Sequence, residues 1–68
     1  MELPEILGRN VREARRRAGL SQEQLAFEAG MKRSYVSDLE RGTRNPSVKA
    51  IARLALALTV DPADLLRN

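Results

Sequence analysis

Cysteine and histidine are absent from this 68-residue chain, and aromatic residues make up only 3% of it. Without thiols there is no disulfide to staple a small fold, and cysteine usage leaves the redox compartment open. Without imidazole most transition-metal sites are excluded. Missing both also removes the usual nucleophile–base pairs. A nucleophile would have to be Ser or Tyr activated by Lys or a carboxylate, and the serines here fall at helix caps and on one polar helix face. No glycine-rich phosphate cradle is present, with four glycines in all. No apolar run approaches the ~20 residues of a membrane span, and no secretory leader precedes the first helical segment. These absences argue against an enzyme, predict neither metal nor cofactor, and point to a soluble, cytoplasmic protein with no membrane contact.

Sixty-eight residues make one domain, residues 1–68, with no room for a second. A chain this short buries only about 60% of its unfolded surface, so its stability is marginal unless something adds to it. Dimerisation is one remedy. Few aromatics, and three prolines that all sit near proposed helix ends, favour an all-α fold. The formal charge is +3 with a pI near 10.2, and ten of the twelve basic residues are arginine. Such a charge is modest evidence for a polyanionic partner. The choice of arginine is suggestive, because its planar fork grips two acceptors at once on phosphate or guanine.

The informative stretch runs from Leu20 to Gly42, LSQEQLAFEAGMKRSYVSDLERG. It reads as two short helices joined by a tight turn, over residues 21–42. Ser21 is a strong N-cap, and Gln24 can reach back to close a capping box. Leu25, Ala26 and Ala29 give an apolar face, and Gly30 stops the helix where positive φ is wanted. Val36 and Leu39 form a second stripe before Gly42. Two helices this short, joined by three residues, must cross steeply, and a small Ala26 suits the close approach. The other side of the second helix carries Lys32, Arg33, Ser34, Ser37, Asp38 and Arg41. That hydrogen-bonding face, braced from behind, suits the major groove of DNA.

Ala26, Gly30, Val36 and Leu39, with LSQEQLA, GMKRSYVSDLERG and RNPS, resemble the XRE/Cro-type helix-turn-helix repressor domains, the group that includes lambda repressor. The likeness runs from about Leu7 to Leu65. Within that group, RSYVSDLERGTRN is similar to controller proteins of restriction–modification systems. The resemblance implies a five-helix, lambda-repressor-like domain acting as a sequence-specific transcriptional regulator on double-stranded DNA. It implies a homodimer that sets one recognition helix per half-site on a palindromic operator, with RNA polymerase helped or hindered there. An antitoxin-like protein-interaction module is the alternative reading. RNA binding is a third, and it lacks the aromatic surface that single strands need.

Individual roles follow from that frame. Arg33 and Ser34, nearest the helix N-terminus, are the leading base readers, and Ser37 shares their face one turn on. Tyr35 could stack on a sugar or touch a thymine methyl. Asp38 either accepts from cytosine N4 or orients a neighbouring arginine, the second role being favoured. Lys32 stands where the family often has a capping Ser or Thr, which weakens the cap and adds a candidate phosphate contact. By family analogy Gln22 lies on the DNA backbone; Arg41, Arg44 and Asn45 are assigned to positioning contacts there, with Arg44 in a narrow minor groove as the lesser option. The resemblance also pairs Arg15 with Glu40 as a buried ion pair.

The rest of the chain frames these two helices. Residues 1–3 are expected to fray, and the first helix to start near Pro4 with a stripe of Leu7, Val11, Ala14 and Ala18, closed by Gly19. Arg9, Arg12, Arg16 and Arg17 read as a solvated basic face, a phosphate approach by Arg9 or Arg12 being the sharper alternative. A helix over 47–58 has the stripe Val48, Ile51, Leu54, Ala55 and Leu58. Another over 62–67 opens with the start signal Asp61-Pro62-Ala63-Asp64. Leu56 breaks the stripe, and with Val60, Leu65 and Leu66 is assigned to a dimer interface. Phe27 projects away from its helix's apolar face with no assigned role.

Overall fold

The computed structural model describes residues 2–68, which form five α-helices with no strand among them. They are α1 (Leu3–Arg17), α2 (Gln22–Ala29), α3 (Arg33–Glu40), α4 (Val48–Leu58) and α5 (Pro62–Leu65). The all-α, five-helix expectation holds. Met1 lies outside the described residues, but the expected fraying does not extend to Leu3, the first residue of α1. There the Glu5 carboxylate accepts the Glu2 N–H at 3.1 Å, a reciprocal cap that starts the helix before Pro4. At the other end α5 stops at Leu65, two residues short of the expected span, with Leu66 as its C-cap.

Local chemistry sets the crossing of α2 and α3. The Gln24 N–H donates to Ser21 Oγ at 3.0 Å while the Ser21 N–H donates to Gln24 Oε1 at 2.8 Å, closing the capping box. Gly30 ends α2 at φ 70°, a backbone state that a residue with a Cβ reaches only under strain. From that bend the Met31 N–H returns to the Ala26 carbonyl at 2.8 Å. The chain therefore turns within three residues and starts α3 at Arg33. Lys32, the N-cap of α3, makes no side-chain capping bond, in keeping with its poor capping chemistry.

One apolar cluster ties the helices together. Leu7 and Val11 of α1, Leu25, Ala26 and Ala29 of α2, and Val36 and Leu39 of α3 meet Leu54, Ala55 and Leu58 of α4 and Leu65 of α5. Val48 does not join this stripe. It stands in the first turn of α4 and is 84% exposed, because the inward line of that helix runs through Leu54, Ala55 and Leu58. Ala18 is likewise outside the core, as α1 has ended one residue earlier. Ile6, absent from the expected stripe, is buried.

Gly8 fixes how closely α1 can approach the end of α3. A Cβ at that position would stand 2.4 Å from the Leu39 carbonyl oxygen and 3.1 Å from that of Glu40. Only a residue without a side chain lets the two backbones touch there. The contact brings α1 arginines within reach of Glu40 at the last turn of α3.

Candidate nucleic-acid interface

Among the described residues the buried polar side chain is that of Glu40, at 5% exposure. A lone carboxylate in that position would be expensive, and α1 and α2 supply its partners. Arg15 of α1 donates through Nε to Oε2 at 2.6 Å and through Nη2 to Oε1 at 3.1 Å, a two-pronged grip. The same guanidinium donates through Nη1 to the Leu20 carbonyl at 2.8 Å, so it also closes the α1–α2 turn. Gln22 of α2 donates through Nε2 to Oε1 at 3.1 Å. Arg12 donates to the Glu40 carbonyl at 2.9 Å and approaches Oε1 to 3.7 Å. One side chain thus ties α1, α2 and α3 into a fixed angle.

Two readings of the sequence change at this point. Arg12 does not belong to a solvated basic face; it spans the end of α3, one turn along α1 from Arg15. The spacing of three between Arg12 and Arg15 was the available signal, since such residues share a helix face. Gln22, expected on the DNA backbone, turns its side-chain amide inward to Glu40 in the free chain. Asn10 was also missed: its Nδ2 donates to the carbonyls of Leu65 at 3.0 Å and Arg67 at 2.7 Å, tethering the end of α5 to α1.

The brace leaves the opposite side of α3 in solvent. Lys32, Arg33 and Ser34 are exposed at its start, while Ser37 and Asp38 are half-buried further along. Arg33 has no carboxylate partner among the described residues. Arg41 and Arg44 differ from it. Arg41 is bonded to Asp38 Oδ1, and Arg44 Nη2 lies 3.8 Å from Asp38 Oδ2. The Arg44 guanidinium also sits over the Tyr35 ring, 4.7 Å from its centroid, a cation–π arrangement. Tyr35 packs partly against the core on its other side, so its ring is held rather than free. Asn45 is exposed in the loop after α3, next to Arg44. The interface therefore has an open cationic end at Arg33 and a self-paired end at Asp38.

The residues assigned to a dimer contact do not sit together. Leu65 is withdrawn from that set: it is 1% exposed and fills the monomer's own core, because α5 folds back over α1 and α4. Val60 is half-buried against the same cluster. Leu66 remains outside it, lining a shallow cleft with Leu3, Pro4, Leu7, Asn45, Pro46 and Ile51. Leu56 is elsewhere, facing Phe27 across a groove between α2 and α4 that shares no residue with that cleft.

Among the described residues no helix is long and apolar enough to cross a membrane, and no cluster of acidic side chains could hold a metal ion. Comparison with known proteins gives this geometry its context. The control protein C.BamHI of Bacillus amyloliquefaciens is 48% identical over 62 residues, covering 90% of this chain and 76% of that protein. The crystal structure of the restriction–modification controller protein C.AhdI from Aeromonas hydrophila superposes with a TM-score of 0.88 at 48% identity, covering 91% of this chain and 94% of that one. SinR, a master regulator for biofilm formation solved in complex with DNA, superposes at 0.86 with 32% identity, covering 90% and 98%. These relatives are regulators, and this chain is not an enzyme. The helix-turn-helix family model matches residues 11–65, from the middle of α1 to the end of α5, and the chain belongs to that family.

Proposed function

We propose that this chain is a sequence-specific DNA-binding transcriptional regulator that places α3 in the major groove. One observation carries the reading. The start of α3 projects Arg33 and Ser34 into solvent, unpaired, from a helix whose angle is locked by Glu40, Arg15, Arg12 and Gln22. A rigid probe with a free guanidinium can grip guanine O6 and N7, worth about 1–3 kcal/mol of discrimination. Ser37 follows on the same face, and Lys32, Arg41, Arg44 and Asn45 flank it as backbone contacts. Gln22 joins those backbone contacts when its second amide hydrogen, left over from the bond to Glu40, meets a phosphate. Similarity to C.BamHI and C.AhdI supports the finer reading of a restriction–modification controller that regulates a small operon.

The chain acts as one DNA-binding unit and as a homodimer on a roughly palindromic operator, with half-sites about 34 Å apart. Exposed apolar residues outside the core support a self-contact. Leu3, at 56% exposure, shares a cleft with Pro46, Ile51 and Leu66, and Val48 stands exposed two residues beyond Pro46. Occupying promoter DNA in this way helps or hinders RNA polymerase, in the cytoplasm where that DNA lies. Selection of a preferred duplex from a random library, followed by titration across salt, tests the reading. Affinity should fall steeply with salt, and Arg33→Ala should relax the selected sequence at one position per half-site. A chain indifferent to both salt and sequence would be a protein-interaction module instead.

A further inference from the structure

The loop that leaves α3 is gathered onto a single residue of its exposed side. The Asp38 carboxylate holds Arg41 through Oδ1 and approaches Arg44 Nη2 to 3.8 Å through Oδ2. Its carbonyl accepts the Thr43 N–H at 3.1 Å, the Thr43 hydroxyl at 2.9 Å and the Arg41 N–H at 3.2 Å. Arg44 is held a second time by the Tyr35 ring. Yet both guanidinium groups remain at the surface, 64% and 46% exposed along their side chains, so an incoming anion can reach them. Arg33, on the same helix, has no such anchor.

We propose that Asp38 competes with DNA phosphates for Arg41 and Arg44, and gives them up only where the base opposite it can satisfy its carboxylate. This rests on the DNA-regulator reading above and names how that site gains specificity. A carboxylate and a phosphate offer a guanidinium the same paired acceptors, so the exchange of one for the other is close to balanced. Small differences then decide it. Once the arginines leave, the Asp38 carboxylate needs a donor, and in the major groove that donor is the exocyclic amine of cytosine or adenine. Guanine O6 and N7 or thymine O4 are acceptors and repel it. On unsuitable sequence the two arginines stay on Asp38 and fewer phosphates are neutralised. One residue therefore couples base identity to the strength of the backbone grip.

The coupling has a signature in salt dependence. Each phosphate neutralised adds about 0.9 to the slope of log affinity against log salt. Wild-type protein should show a slope about 1.8 per bound protomer smaller on random duplex than on its selected duplex of equal length, or about 3.6 for the dimer. Asp38→Asn should raise affinity for random duplex roughly tenfold and steepen its slope to that of the selected duplex, whose own slope stays unchanged. Glu28→Gln, which removes an exposed acid outside this cluster, controls for net charge and should do neither. The double substitution Arg41→Gln/Arg44→Gln should flatten the slope on the selected duplex alone, and should abolish the effect of Asp38→Asn. A thermal melt of each variant checks that the fold is kept, and the arginine pair tests the idea even if Asp38→Asn unfolds. Equal wild-type slopes on the two duplexes, or an Asp38→Asn gain that survives loss of both arginines, would overturn this proposal and leave the regulator reading intact. Wild-type protein that binds no duplex at all would overturn both.

Discussion

Asp38 and Glu40 lie two residues apart on the last turn of α3, carry the same charge, and live in different worlds. Glu40 points inward at 5% exposure and meets guanidinium groups from α1 and an amide from α2. Asp38 points outward and, among the described residues, pairs with Arg41, Thr43 and Arg44 at the end of its helix and in the loop that follows. A buried pair in low dielectric is hard to exchange, because breaking it strands a charge with no water to receive it. A surface pair gains little and is readily traded for another ion. Position on the helix therefore turns one carboxylate into a lock and makes the other exchangeable. The lock sets the angle of α3, and the exchangeable pair lies on the exposed side of that helix.

Glu40→Ala tests the lock most severely. It leaves Arg15, whose side chain is only 12% exposed, without its carboxylate. Removing one partner of such a pair costs about 3–5 kcal/mol, a large fraction of the stability of a small domain. Chemical denaturation should show that loss, whereas Glu28→Ala, on an exposed position, should change little. Equal midpoints for these two variants would dissolve the comparison. Replacing both partners, Arg15→Met with Glu40→Leu, should recover much of the loss, since an apolar pair needs no charge compensation. That double variant should still bind DNA more weakly if the pair sets the helix angle.

Gly8→Ala attacks the same junction from the backbone side. Its methyl carbon would meet the Leu39 carbonyl oxygen at 2.4 Å, so α1 must move away from the end of α3. Overpacking of this kind costs about 1–3 kcal/mol, despite the better helix propensity of alanine. A lowered melting temperature checks it, and an unchanged or raised one would mean the helices can separate freely.

The helix-turn-helix was legible in the sequence because its determinants are local. Ser21 with Gln24, Gly30 after Ala29, and the Leu25/Ala29 and Val36/Leu39 spacings all act within one or two turns. The family resemblance named Arg15 and Glu40, and the structure places them in contact. What the sequence hid were consequences of tertiary packing. Nothing near Leu65 indicates that α5 folds over α1 and α4, so an apolar residue there read as an outward patch. Val48 matched helical spacing yet faces solvent, because a stripe in the first turn can overshoot the partner helix. Gly8 carried a readable hint, since a glycine inside an otherwise favourable helix often marks close backbone approach. The inward turn of Gln22 depends on where Glu40 ends up, 18 residues away in sequence.

Gln22→Ala should have a smaller effect than either junction variant. It removes one donor from Glu40 while Arg15 continues to grip both carboxylate oxygens. A hydrogen bond to a charged group contributes about 1.5–3 kcal/mol when buried, and partial exposure of Gln22 should bring this to the lower end or below. The melting temperature should fall measurably but stay above that of Glu40→Ala.

Asp38→Ala should move stability least, and its salt response separates it from the lock. Asp38 pairs with Arg41 and Arg44 across partly exposed side chains, and exposed pairs contribute about 0.2–1 kcal/mol. Near 1 M salt the screening length shrinks to about 3 Å, so wild-type and Asp38→Ala proteins should unfold at nearly the same denaturant concentration there. The gap between wild type and Glu40→Ala should survive the same salt, because ions do not penetrate to a carboxylate enclosed by three helices. Parallel denaturation series at low and high salt read both responses in one experiment. If the Asp38 gap persisted at high salt while the Glu40 gap closed, the two carboxylates would have exchanged roles, and α3 would be held in place from its exposed side.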